Sequence, residues 1–225
     1  MKIEVWSDFT CPYCYIGKRR LDLAIEKFGK KNEIEIEYKS FELDFVTGSR
    51  TSNQTTESEP YKMNQGQINE IISEGHRLGI PLQLDNLIHT NTFDAHRLVK
   101  CASKYNKAHE IVEKLFETHL VRHYNLAERS VLLSIATDAG LDKAEIEELL
   151  CLNKYGKNVK LDEEMATDIG VNKVPFYIFD EIHAISGLLT TDSFLDVLQE
   201  LWHSSKEDKP AKPTSYCTET GCHID

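Results

Sequence analysis

The chain has 225 residues, 40% of them hydrophobic, enough to bury a full core as one domain with room for an insertion. Against 26 Lys and Arg stand 37 Asp and Glu, a net charge of −11 with no basic run to interrupt it, which speaks against nucleic acid as a partner. No apolar stretch approaches the roughly 18 residues that suggest a membrane span, and the chain opens on strand-like residues without a secretory leader pattern, so a cytoplasmic protein with no membrane partner is expected.

Ile3 and Val5 alternate with Lys2 and Glu4, a half-buried strand that Trp6 extends toward Asp8. Cys11-Pro12-Tyr13-Cys14 follows, then a helical stripe of Ile16, Leu21, Leu23, Ala24, Ile25 and Phe28 closed by Gly29. Ile34, Ile36 and Tyr38 alternate with Glu33, Glu35 and Glu37, which completes a β-α-β unit. Thr47 to Pro60 is small and polar, a surface loop or a lid over a binding face.

From Tyr61 to Ile169 the period is helical, with stripes at Ile68/Ile71/Ile72, Ala95/Leu98/Ala102/Tyr105, Ile111/Leu115 and Val131/Ile135. Asn91-Thr92 offers a cap, Asp142 with Glu145 resembles a capping box, and Leu141 can staple onto Ile146. Val174-Pro175-Phe176-Tyr177-Ile178-Phe179 predicts a strand entered through a proline. Asp180-Glu181 then turns into Ile182 to Ile185, Gly187 ends that strand, and Phe194 to Trp202 form a closing amphipathic helix. Ser204 to Asp225 lacks periodicity, carries Pro210 and Pro213, and reads as a flexible tail.

A strand that runs into Cys-x-x-Cys at the start of a helix is the context of a thioredoxin-like redox site. The reducing cytosol makes structural disulfides uncommon, so the pair is more readily catalytic or metal-binding than a permanent link. Orphan N–H groups and the helix dipole favour the thiolate at Cys11, while Cys14, a turn further in, is expected to be the buried resolving thiol. Pro12 presets the helix and Tyr13 supplies a polar aromatic rim, which suggests a potential on the order of −200 mV. Two core cysteines, or half of a zinc site completed by Cys217, Cys222 or His223, are the competing readings. An extended substrate also needs an exposed backbone edge opposite the attacking sulfur, and a cis peptide at Val174-Pro175 would supply it; a trans proline opening a strand is the alternative.

Ser7 to Gly17 with its Cys-Pro-Tyr-Cys core, Thr92-Phe93-Asp94-Ala95-His96-Arg97-Leu98, and Gly170 to Phe176 together resemble the DsbA-like branch of the thioredoxin superfamily, closest to the cytosolic FrnE-type disulfide oxidoreductases, over roughly Lys2 to Trp202. The resemblance implies an α/β thioredoxin fold with a large all-helical insertion. Its expected parts are residues 1–60 as the first half, 61–157 as the insertion, 158–203 as the second half, and 204–225 as a tail with Cys-x4-Cys. It further implies thiol–disulfide exchange with Cys11 as nucleophile, Cys14 as resolver and Pro175 as the cis-proline, and with Pro12, Tyr13, Val174 and His96 lining the substrate site. No cofactor or metal is expected, glutathione being at most a co-substrate; the partners are protein or small-molecule disulfides and a thioredoxin- or glutathione-type recycling system.

The same branch holds 2-hydroxychromene-2-carboxylate isomerases and kappa-class glutathione transferases, which carry Ser where Cys11 stands; a glutathione-dependent transferase or isomerase is therefore the enzyme alternative, and a redox-inactive zinc-holding module the other. Cys217 and Cys222 match a terminal pair found in the branch and form a candidate second redox couple. Cys101 and Cys151 follow apolar stripes and are expected to be buried structural thiols. Asp8 either tunes the resolving thiol or is solvated, and Arg97 shares with His96 either a pocket or a structural role.

Overall fold

A computed structural model describes residues 1–43, 63–85 and 87–207, and the backbone of 216–218 and 221–223. The proposed loop or lid from Thr47 to Pro60 and most of the tail lie outside the described residues. Among those described, a four-stranded mixed sheet in the order β2-β1-β3-β4 carries eight α-helices.

Strand β1 (Lys2–Ser7) pairs in parallel with β2 (Glu35–Ser40), the crossover being α1 (Pro12–Phe28). Gly29 caps α1 at φ 74°, where its left-handed backbone lets its N–H reach the carbonyls of Ile25 and Glu26. Strand β3 (Phe176–Phe179) lies antiparallel on the other side of β1, with β4 (His183–Ser186) beyond it. Register places Tyr38, Val5, Tyr177 and Ile185 in one row across the sheet. Period-two alternation sends that row to one face, with Ile3 and Phe179, and sends Trp6, Phe176 and Ile178 to the other. Helix α1 and the closing α8 (Thr191–Glu207) share the core of the first face; the second packs Trp6 with Ala166 of α7 (Gly156–Asp168).

Between β2 and α7 run α2 (Gln65–Arg77), α3 (Phe93–Ser103), α4 (Ala108–Leu120), α5 (Arg129–Asp138) and α6 (Lys143–Cys151). Helix α3 sits centrally among α4, α5 and α6, burying Ala95, Leu98, Val99 and Ala102 in a core continuous with that of α1. This is a thioredoxin fold carrying a large helical insertion, as the motifs imply.

Asp142 caps α6 by accepting from the Glu145 amide at 2.9 Å. The reciprocal box is completed elsewhere, at Asn64 and Gln67, where each side chain takes the other's backbone N–H. Asn91, rather than Thr92, bonds the first amide of α3. Cys151 departs from expectation: it is exposed, because Leu149 and Leu150 take the core side of the last turn of α6, and its sulfur accepts from Arg129 at 3.9 Å. Cys101 is fully buried. The tail, read as flexible, contains a short ribbon of β5 (Tyr216–Thr218) and β6 (Gly221–His223) that sets Cys217 opposite Cys222 in register.

Candidate active site

Cys11 is the N-cap of α1, with extended backbone at φ −90° and ψ 110°, and Pro12 begins the helix without an N–H to leave orphaned. The amides of Cys14 and Tyr15 both reach back to the Cys11 carbonyl, at 3.0 and 3.4 Å, and this turn brings the two sulfurs into hydrogen-bond contact. Cys11 is 6% exposed and Cys14 2%. Burial pushes the Cys14 thiol well above its usual range, the hydrogen bond and charge of Cys11 push it the same way, and the main-chain amide of Asp8 opposes them. Cys14 is thereby held as a thiol at neutral pH.

Facing the dithiol is the loop before β3. Its Val174-Pro175 peptide is cis, the Val174 carbonyl lies 3.9 Å from Cys11 Sγ, and the Pro175 carbonyl is held by the Gly187 amide at 2.8 Å. Pro12 and Pro175 are buried and Tyr13 and Val174 half-buried, and of the four it is Val174 whose carbonyl meets a sulfur. The close approach of this loop to α1 depends on Gly17, where a Cβ would lie 3.2 Å from Pro175 Cγ and 2.3 Å from the Tyr177 hydroxyl.

Beneath the motif Asp8 is sealed from solvent. Its carboxylate accepts from the amides of Thr10 at 3.0 Å and Leu43 at 2.6 Å and from the Thr92 side chain. Burial outweighs these bonds and pushes its pKa up to about 6, with the nearby Glu42 adding to the rise. Asp8 also contributes to the elevation of Cys14, so the two groups feel one another. Of the two readings offered for Asp8, the solvated one does not hold, because β1 ends in the core and carries the residue inward.

His96 is buried on the first turn of α3, tilted against Phe9 at 4.7 Å between ring centroids. Burial, then the charge of Lys100, lowers its pKa to about 3, against a hydrogen bond with the Phe41 backbone, so the imidazole is neutral. Phe9 separates it from the rest of the core by packing on Phe116, which in turn stacks on Tyr15. Arg97 turns away to Asp94 and to the carbonyls of Leu149, Leu152 and Lys154, closing the C-terminal end of α6.

Two features escaped the sequence reading. Lys18, almost wholly buried, bridges Asp22 at 2.8 Å and Glu113 at 2.6 Å, and Glu113 also accepts from the Tyr15 hydroxyl at 2.7 Å. Tyr177, two residues beyond Pro175, places its hydroxyl beside Gly17. The one available signal for Tyr177 was a phenol on the inward face of a strand otherwise built from Phe and Ile. Among the described residues no three His, Cys, Asp or Glu side chains converge as a metal cluster.

A thioredoxin-fold sheet with a buried Cys-x-x-Cys at the head of α1 and a proline loop against it places the molecule among the thioredoxin-fold oxidoreductases. A family model of the DSBA-like thioredoxin domain matches residues 2–199, and the chain belongs to that family. A probable DsbA oxidoreductase from Streptomyces coelicolor is 27% identical with a TM-score of 0.80, the match covering 100% of this chain and 99% of that one. A 2-hydroxychromene-2-carboxylate isomerase shares the fold at 15% identity and a TM-score of 0.68, over 92% of this chain and 98% of that one. The Bacillus subtilis protein YwbO, described as uncharacterized, is 29% identical over 154 residues, 68% of this chain and 73% of its own length.

Proposed function

We propose that this chain is a cytoplasmic thiol–disulfide oxidoreductase acting on protein or small-molecule disulfides. The observation that carries the reading is the asymmetry of the dithiol: Cys11 is at the helix N-terminus against the Val174 carbonyl, Cys14 is sealed behind it, and a buried carboxylate stands near Cys14. The Cys11 thiolate attacks one sulfur of a substrate disulfide, forming a Cys11–substrate bond and releasing the other sulfur as a thiolate. Cys14 then gives its proton to Asp8 and attacks Cys11 Sγ, breaking the mixed disulfide and expelling the second substrate thiolate. The dithiol has lost two electrons and the substrate has gained them; the reverse sequence oxidises a substrate dithiol. Val174 offers the main-chain edge along which an extended substrate aligns, with Pro12 and Tyr13 as its rim, and His96 contributes as neutral packing behind Phe9.

No cofactor takes part, and glutathione or a thioredoxin-type protein recycles the pair. The Cys217–Cys222 register supports a second exchange step of the FrnE type between tail and dithiol. Removing both by Cys217→Ser and Cys222→Ser is expected to slow recycling while leaving Cys11 reactive.

The test is an equilibrium titration of the Cys11–Cys14 couple against glutathione, with insulin reduction followed in wild type and Cys11→Ser. A two-electron midpoint near −200 mV, with activity lost in the variant, is the expected result. Absence of a midpoint overturns the reading; glutathione transfer to small electrophiles would then point to the transferase alternative, and stoichiometric zinc to the binding module.

A further inference from the structure

The ring of Tyr177 is explained by the core, but its hydroxyl is not. The ring packs edge-on against Phe194 at 5.0 Å and beside Phe179 at 6.5 Å, contacts that a phenylalanine would make equally well. The oxygen is wholly buried and has no hydrogen-bond partner among the described residues. Few native hydroxyls are left so, because a buried donor without an acceptor forfeits its hydration.

Its surroundings show what it is aimed at. Tyr177 is the second residue of β3, two positions past Pro175, and its side chain points to the face that packs on α1. A Cβ on Gly17 would fall 2.3 Å from the hydroxyl oxygen, which puts that oxygen directly on the surface of α1. Gly17 is three residues beyond Cys14, the spacing of neighbours on a helix surface. The thiols of Cys14 and Cys11 act on the phenol in that order after burial itself, and all three hold it well above its ordinary pKa. The other charged or titratable groups facing it are Arg20 and Asp22 on α1 and Tyr38 on β2, none of which accepts its proton.

Resting on the exchange reading above, we infer that the Tyr177 hydroxyl is the hydrogen-bond donor that receives negative charge on Cys14 when the Cys11–Cys14 disulfide is opened. An incoming thiolate bonds to Cys11 Sγ, the sulfur–sulfur bond breaks, and its electron pair goes to Cys14 Sγ, deep in the core where no solvent can stabilise it. The phenol keeps its proton and turns its O–H toward that sulfur; a proton reaches Cys14 afterwards through Asp8. In reverse, the same bond steadies the Cys14 thiolate as it attacks. Gly17 leaves the room in which the hydroxyl turns.

Tyr177→Phe removes the one oxygen and keeps the packing. In the full-length oxidised protein, reduction by dithiothreitol, which expels Cys14, is expected to slow about tenfold, a step typical of a hydrogen bond to a charged group. Alkylation of Cys11 by iodoacetamide in the reduced protein is expected to keep its rate, and the melting temperature to stay level or rise. Gly17→Ala, which drives a methyl group into the hydroxyl's place, should slow reduction similarly in wild type and add little to Tyr177→Phe. Unchanged reduction, or equal slowing of reduction and alkylation, overturns the inference. A wild type with no two-electron cycle overturns the exchange reading itself, and a cycling wild type with an indifferent Tyr177→Phe overturns this inference alone.

Discussion

The two flanks of α1 handle buried polar atoms in contrasting ways. Toward α4, Lys18 is nearly out of solvent yet holds Asp22 and Glu113, and Glu113 takes a further bond from Tyr15, so a charged lysine is balanced by carboxylates and their remaining lone pairs are used. Toward β3, Cys14, Asp8 and Tyr177 are equally buried but less completely matched: burial raises the pKa of all three, and the Tyr177 hydroxyl has no acceptor among the described residues. The first flank fastens the helical insertion to the sheet domain. The second holds the groups to which the proposed exchange assigns changes of protonation and bonding. Within one helix, satisfied polarity supports structure and unsatisfied polarity is available for chemistry.

The sharpest break of this contrast is Cys11→Ser, which should remove insulin reduction altogether, a loss beyond about a thousandfold, while leaving the melting temperature near wild type. Next is Asp8→Asn. The amide keeps one acceptor for the Thr10 or Leu43 amide but cannot take a proton from Cys14, so resolution should slow about ten- to a hundredfold. Stopped-flow rates across pH should show a wild-type rise centred near the Asp8 pKa of about 6 that the variant lacks.

Lys18→Met tests the other flank. It leaves Glu113 and Asp22 facing an apolar side chain and should cost roughly 1–3 kcal/mol by urea unfolding, with no change in the redox midpoint. A midpoint that moves in Lys18→Met would show that the flanks are not separable.

The smallest effect is on wild-type stability between about pH 4 and pH 6, where two buried groups oppose each other. The pKa of Asp8 is raised to about 6 in the fold, so its contribution is fully present below the unfolded value of 3.8 and is lost as pH rises through 6. His96 is lowered to about 3, so its contribution is present above the unfolded value of 6.5 and is lost as pH falls toward 3. The slopes partly cancel in wild type. In Asp8→Asn the opposing slope is gone while His96, joined by His109 and His119, which burial also lowers, keeps its own, and urea midpoints should fall more steeply on acidification than in the parent.

Period-two and helical spacing placed β1, α1, β2, β3 and α8 to within a few residues, because each depends on neighbours three or four positions away at most. The dithiol and the proline before β3 were legible for the same reason: a two-residue cysteine spacing on a helix start and a proline opening an apolar run are local patterns. Periodicity also marked Leu149 and Leu150 as core, yet it could not show that Cys151 next to them faces outward, since one residue of helix rotation decides it. Asp8 read equally well as solvated. Its acceptance of the Leu43 amide, from 35 positions along the chain, is what makes it a buried acid.

The amino-acid sequence by itself determined that this chain builds a β-α-β unit with a Cys-x-x-Cys at a helix head and returns to it after a helical excursion, since hydrophobic period, capping and turn residues act over a few positions. Only the tertiary structure decided which polar groups share that site. Glu113 reaches Lys18 from 95 residues away, and Tyr177 meets α1 at Gly17 from 160 positions along the chain. The field at a buried sulfur sums over groups brought together by packing, and packing is not written in any local spacing.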